Sequence, residues 1–172
     1  MTLSRAVTHL AAAAVAALAV AGCGGGSSDD SSAAPSEPKL RSPTVDVSTN
    51  RLGEVLVDSK GRTLYLFKQD KGTRSTCFGS CAQAWPPLRT KDKPTAAGDA
   101  KASKLATSPR PDGPRQVVYN GHPLYLYQGD ETPGKANGQG VKAWGDLWYA
   151  LTPNGKQLTK GSPKKGGGGG GY

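Results

Sequence analysis

Three features of the chain predict a mainly β fold built from two copies of one unit. Apolar residues alternate with period two, glycine-containing dipeptides fall where hairpin turns belong, and one ten-residue stretch returns sixty positions later. The stretch is Gly61 to Asp70, GRTLYLFKQD, and its echo is Gly121 to Asp130, GHPLYLYQGD. Extended backwards without a gap, the register also pairs Ser48 with Ser108, Gly53 with Gly113 and Val57 with Val117. Forwards, Trp85 and Leu88 of WPPL match Trp148 and Leu151 of WYAL once three residues are inserted. The predicted architecture is two duplicated antiparallel three-strand meanders packed about a pseudo-twofold, with little helix.

The flanks bound this unit. Residues 1–22 have the parts of an export signal: Arg5 near the start, an apolar run from Leu10 to Ala21, and small residues before Cys23. Val20-Ala21-Gly22-Cys23 resembles a bacterial lipobox, so Cys23 is the expected lipidation site, and two or three acyl chains there would hold the protein to the outer face of the cell membrane. Residues 23–42 lack aromatics and are rich in Gly, Ser and Pro, which reads as a disordered tether with an r.m.s. reach of about 25 Å. Residues 161–172, GSPKKGGGGGGY, read as a disordered tail. The folded domain is therefore expected over 43–160, with repeat one at 43–90 and repeat two at 103–160.

Within each repeat the elements follow from pattern and punctuation. Val55 and Val57 face one way while Leu56 and Asp58 face the other; Leu64 and Leu66 oppose Tyr65 and Phe67. Strands are expected at 44–49, 54–59 and 62–68, then at 104–108, 115–119 and 122–128. Lys60-Gly61 and Asn120-Gly121 are the expected two-residue turns between the second and third strand of each repeat. A further strand should run through Trp148 to Leu151, turning at Asn154-Gly155 towards Lys156 to Thr159. Helix is limited to a turn or two around Ser80 to Ala84, stopped by Pro86 and Pro87. Lys91 to Lys101, polar with Pro and Gly, reads as a mobile connection between the repeats. The Leu-Tyr-Leu-aromatic strands are apolar on both faces and so should be covered on both sides, leucines towards one layer and Tyr65, Phe67, Tyr125 and Tyr127 towards another.

Composition excludes some functions. The chain has 22 Lys and Arg against 13 Asp and Glu, a net charge of +9, but the charges are scattered and no nucleic-acid motif accompanies them. Anionic lipid or wall polymer suits this balance outside the membrane, and an envelope protein or a wall polymer is the expected partner besides the membrane itself.

Few residues could carry chemistry. Cys77 and Cys81, in CFGSC, are a close even pair outside the cytoplasm, which points to a disulfide. Its alternative is a redox or metal pair, with copper or haem as cofactor and His122 as the one available imidazole once export removes His9. His122 stands where repeat one has Arg62, which favours a solvated polar site at a strand start. Asp70 and Asp130 end equivalent strands, and their repetition suits caps for backbone N–H groups of the following loops better than an acid/base pair. Gly134 to Gly140 lacks the phosphate-loop pattern and would take the place of CFGSC in repeat two. Trp85, Trp144, Trp148 and Tyr149 read as core or covering aromatics, with a glycan platform as the minority alternative. No catalytic set converges, so neither a catalytic residue nor a resident cofactor is expected.

Taken together, Tyr65-x-Phe67-x-x-Asp70, Tyr125-x-Tyr127-x-x-Asp130, Cys77, Cys81-Ala82 and Trp85-Pro86-Pro87-Leu88 resemble a bacterial family of predicted lipoproteins with a repeated Yx(FWY)xxD motif, the secreted repeat of unknown function. The resemblance covers nearly all of 43–152 and implies a tethered, duplicated extracytoplasmic domain without an assigned activity. Repeat two lacks the cysteine pair, so any thiol chemistry belongs to repeat one. The reading is a non-enzymatic binding or interaction lipoprotein of the cell envelope; the alternative is an extracytoplasmic redox, copper or haem module built on Cys77 and Cys81.

Overall fold

The computed structural model describes residues 42–159. The export signal over 1–22, the lipidation site Cys23, the tether up to residue 41 and the tail over 161–172 lie outside the described residues.

The described chain is mainly β, as its period-two pattern requires. In repeat one, β1 (Thr44–Asn50) and β2 (Gly53–Asp58) form an antiparallel hairpin, followed by the short β3 (Tyr65–Phe67), the single helix α1 (Ser80–Ala84) and β4 (Arg89–Thr90). Between the repeats come β5 (Thr95–Ala96) and a 3-10 turn at Ala102–Lys104. Repeat two contributes the hairpin of β6 (Leu105–Arg110) and β7 (Gly113–Tyr119), then β8 (His122–Pro123), β9 (Lys142–Ala143) and β10 (Asp146–Ala150). Three small sheets result, ordered β2-β1-β5, β3-β10-β9 and β4-β7-β6 with β8 on β7.

Several boundaries differ from the sequence expectation, each for a local reason. The Lys91–Lys101 stretch is not a free connection: β5 pairs in parallel with β1, and Ala97 N donates to Val45 O at 2.9 Å, so this segment covers the edge β1 would otherwise leave open. The third strands are shorter than 62–68 and 122–128, because each leaves its own hairpin to meet the other repeat. Beyond Leu151 the chain makes one bridge, Leu151 to Gln157, in place of a strand over Lys156–Thr159.

The gap-free register also needs a correction. β6 and β7 shift register between Ser108 and Arg110, where Pro109 has no N–H to offer the ladder. The next turn removes that extra residue. In repeat one the hairpin closes over three residues with Gly61 at φ 73, held by two Asp58–Arg62 bonds at 2.8 and 2.6 Å; in repeat two Asn120-Gly121 close it over two, both at positive φ. Leu56 therefore corresponds to Val117, and Val57 to Val118. Hydrogen bonds agree: Leu64 N donates to Leu56 O and Leu124 N to Val117 O, each at 2.9 Å.

Alternation along the strands divides the interior into two layers. Leu56, Leu64, Leu66, Leu88, Val117, Leu124, Leu126 and Leu151 fill one; Val55, Val57, Tyr65, Phe67, Cys77, Trp85, Tyr125 and Trp148 fill the other. The Leu-Tyr-Leu-aromatic strands are buried between them, as expected from their doubly apolar character.

Candidate functional site

The repeated motif is the centre of the molecule, and its residues are exchanged between repeats. Each Trp-to-Leu segment completes the other repeat's sheet. Leu56 N donates to Leu151 O at 2.9 Å and Leu151 N to Leu64 O at 3.3 Å; reciprocally, Val117 N donates to Leu88 O at 2.8 Å and Leu88 N to Leu124 O at 2.9 Å. At the crossing, Tyr65 and Tyr125 pair with both backbone bonds, at 2.9 and 3.0 Å.

Side chains follow the same exchange. Tyr65 Oη donates to Asp130 Oδ2 at 2.5 Å, and Tyr125 Oη donates to Asp70 Oδ2 at 2.7 Å. Each carboxylate turns its other oxygen to the loop that follows it. Asp70 Oδ1 accepts from Thr76 N at 2.8 Å, and Asp130 Oδ1 from Asn137 N at 2.7 Å. The third motif position crosses too: Phe67 stacks on Trp148 at 4.1 Å between ring centroids, and Tyr127 on Trp85 at 4.2 Å. The indoles stack on each other at 4.0 Å and 7°, giving the ring order Phe67, Trp148, Trp85, Tyr127. Tyr65 meets Trp85 edge-on at 5.4 Å, and Tyr125 meets Trp148 edge-on at 5.1 Å. Beyond its buried area, each aromatic pair adds about 0.5–1.5 kcal/mol.

Electrostatics follow from this burial. Desolvation first, then the hydrogen bond and charge of Asp130, push the Tyr65 phenol far above its ordinary range; desolvation and the Asp70 charge do the same to Tyr125. Burial raises the Asp70 carboxyl against the lowering effect of its bonds from Tyr125 and Thr76. All four groups thus spend their polar atoms on the fold. An acid/base role for Asp70 and Asp130 has no vacant geometry here, since each is engaged by a phenol and a backbone amide.

Two arginines from the hairpin turns, which sequence reading passed over, bolt the Asp-capped loops across the repeats. Arg51 Nη2 donates to Ala136 O at 2.6 Å, and the buried Arg110 donates to Cys77 O at 2.8 Å, to Ser75 Oγ and Gln116 Oε1 at 2.7 Å, and to Asp112 through two bonds. Arg110 also lies over the Phe78 ring at 4.6 Å. The available signal was positional: Arg-Leu-Gly and Arg-Pro-Asp-Gly occupy matching turns.

Cys77 and Cys81 are joined as a disulfide, both buried, with Cα atoms 5.3 Å apart. His122 sits in β8, half-buried; desolvation and then Lys68 lower its pKa. Among the described residues no three of His, Cys, Asp and Glu gather in a way that could hold a metal ion, so the alternative set Cys77, Cys81 and His122 does not come together.

Trp85 and Trp148 are fully buried and Tyr149 nearly so, in line with a core role. Trp144 is not core. It is 43% exposed at the tip of the β9–β10 hairpin, where its φ is 50 and that of Gly145 is 95. Asn120-Gly121 has the same signs of φ with the residue such a turn favours. A tryptophan there costs about 1 kcal/mol or more of backbone strain.

No curated protein and no solved structure matches the chain. The family described as the secreted repeat of unknown function matches it twice, over residues 46–89 and 106–152, the two units whose strands and side chains are exchanged above. Such a family places the domain outside the cytoplasm, and the chain belongs to this secreted-repeat family, Lipoprotein_15.

Proposed function

We propose that the chain is a non-enzymatic binding module of the cell envelope, tethered through a lipid on Cys23 and presenting Trp144 to an anionic wall glycan. The observation that carries the reading is Trp144 itself: a large apolar side chain, exposed, on a turn whose backbone it strains. Exposed Lys142 shares its hairpin, exposed Lys68 hydrogen-bonds the facing strand through Lys68 N to Leu147 O, and the whole chain carries +9. An exposed indole on a basic domain suits a sugar ring bearing phosphate or carboxylate.

The test separates binding from stability. Trp144→Asn places a residue that tolerates the turn, so the variant should fold with stability equal to or about 1 kcal/mol above that of the parent. It should lose co-sedimentation with purified anionic wall glycan, which the parent shows and which salt weakens. Undiminished binding by this variant, or no binding by the parent chain, would overturn the reading.

A further inference from the structure

The crossed motif places two of the three indoles, Trp85 and Trp148, and the phenols Tyr65, Tyr125 and Tyr127 in one continuous chain of contacts. Met1 is the only methionine, and Cys77 and Cys81 are tied up as a disulfide, so indoles and phenols are the sensitive groups that remain. Half-buried Tyr127 covers Trp85 at 4.2 Å, Trp85 covers Trp148 at 4.0 Å, and the edge contacts of Tyr65 and Tyr125 reach one indole each. Phe67, a phenyl ring resistant to oxidation, closes the far end beyond Trp148. The chain of rings thus has one oxidisable end near solvent, at Tyr127. Gly129 fixes that end, since a Cβ there would lie 2.4 Å from the Tyr127 ring.

We propose that this lattice is a relay and trap for one-electron oxidants of the peroxyl- or sulfate-radical class met outside the cytoplasm. The oxidant takes one electron from Trp85 through the ring of Tyr127 and is itself reduced by one electron. The resulting indole radical cation shares its vacancy with Trp148 across the 4.0 Å stack. Tyr65 or Tyr125 then gives one electron to the adjacent indole, restoring it. As that electron leaves, the phenol O–H bond breaks and the proton crosses its existing hydrogen bond, to Asp130 from Tyr65 or to Asp70 from Tyr125. The products are a neutral phenoxyl radical, a carboxylic acid and an intact indole pair. No proton has to leave the interior. Burial and the facing carboxylates keep both phenols protonated beforehand, so each trap is set at ordinary pH.

Photo-oxidation of the full mature chain with a ruthenium sensitiser and persulfate, followed by transient absorption and freeze-quenched electron paramagnetic resonance, tests this. Trp144→Phe is the background, to remove the exposed indole. The expected product is a tyrosyl radical whose yield is independent of buffer concentration, because the proton acceptor is internal. Tyr65→Phe with Tyr125→Phe should abolish the buffer-independent tyrosyl signal, so that any signal left on Tyr127 or another phenol rises with buffer base. Should that double variant fail to fold, the buffer series on the otherwise unaltered rings still decides. A yield that rises with buffer base, or a buffer-independent tyrosyl signal that persists in a folded double variant, would overturn the relay.

Discussion

Repeat one and repeat two reach the same geometry with different means. Repeat one closes its inner hairpin with an Asp58–Arg62 pair over three residues, and repeat two with Asn120-Gly121 over two. Repeat one shapes its Asp-capped loop with a disulfide. Repeat two shapes the matching loop with Asn137, whose Nδ2 donates to Gly129 O at 2.9 Å, and with Gly138, where a Cβ would lie 2.7 Å from Trp85. Yet both keep the Tyr, the aromatic and the Asp of the motif, and these are the groups that reach into the other copy. What the repeats share is what each lends to its partner.

The largest effect should come from breaking the exchange outright. Expressed apart, residues 43–90 and 103–160 leave Leu56 N, Leu64 O, Val117 N and Leu124 O without their partners, together with half of the ring stack. Neither fragment should fold, a loss of the whole of a stability of about 5–15 kcal/mol. Equimolar mixing should restore dispersed amide resonances. A fragment that folds alone would show that the exchange is decoration on two independent units.

Next come the two crossed Tyr–Asp pairs, which are alike in plan and unlike in burial. Asp130 is buried, whereas Asp70 is partly open to water that can replace a lost partner. Asp130→Ala should cost about 3 kcal/mol by urea denaturation, and Asp70→Ala less, since bonds to charged groups contribute about 1.5–3 kcal/mol each. A double-mutant cycle of Asp130→Ala with Tyr65→Phe should give coupling of about 1–2 kcal/mol. Equal costs at the two aspartates would remove burial as the distinction between the pairs.

The disulfide exists in one repeat alone, and its loop has other fastenings: Asp70, Ser75 and the hydrogen bonds of Arg110 to Ser75 Oγ and Cys77 O. Closing so short a loop stabilises by about 2 kcal/mol in the chain-entropy model. Cys77→Ser with Cys81→Ser should therefore lower the unfolding free energy by that amount in urea denaturation while the domain stays folded. Unfolding on reduction would make the disulfide, rather than the exchange, the main constraint on repeat one.

Much of this was legible in the chain. Period-two alternation assigns faces, and it correctly sent Leu64 and Leu66 to one layer and Tyr65 and Phe67 to the other. Faces are not partners, however. The pattern of Trp148 to Leu151 suits a strand paired at home or across the repeat boundary, so the exchange could not be read from it. Composition misled at Lys91–Lys101, because Thr95 and Ala96 lack the apolar signal of a strand and are recruited by the open edge of β1. Trp144 was grouped with the core or covering aromatics because a tryptophan is unusual in a tight turn, and only the backbone reveals that both central residues there have positive φ. The one-residue offset of β7 was hidden because β7 gains one residue opposite Pro109 and the Asn120-Gly121 turn takes one away.

The smallest expected effect separates the first turns of the two hairpins. Leu52 in repeat one packs into the aromatic layer and does not titrate; Asp112 in repeat two, itself open to water, accepts from the buried Arg110 and from Arg89. Hydrogen bonding to Arg110, foremost, brings the Asp112 pKa down to about 2. A carboxyl depressed in the folded state stabilises above its unfolded pKa, and that contribution is lost as pH falls from there towards the folded value. Asp70 acts in the opposite sense: its raised pKa means that the folded state takes up a proton first, so acid favours folding at that site. Asp112→Asn keeps an oxygen acceptor for Arg110 and a site open to water, so it should lower stability at neutral pH by about 1 kcal/mol, and the difference from the parent should close near pH 2 and shrink with added salt. Urea midpoints across the acid range measure it. A deficit in Asp112→Asn that persisted below pH 2 would place the contribution of this turn in its backbone rather than its charge, and would make the two hairpin turns more alike than their residues suggest.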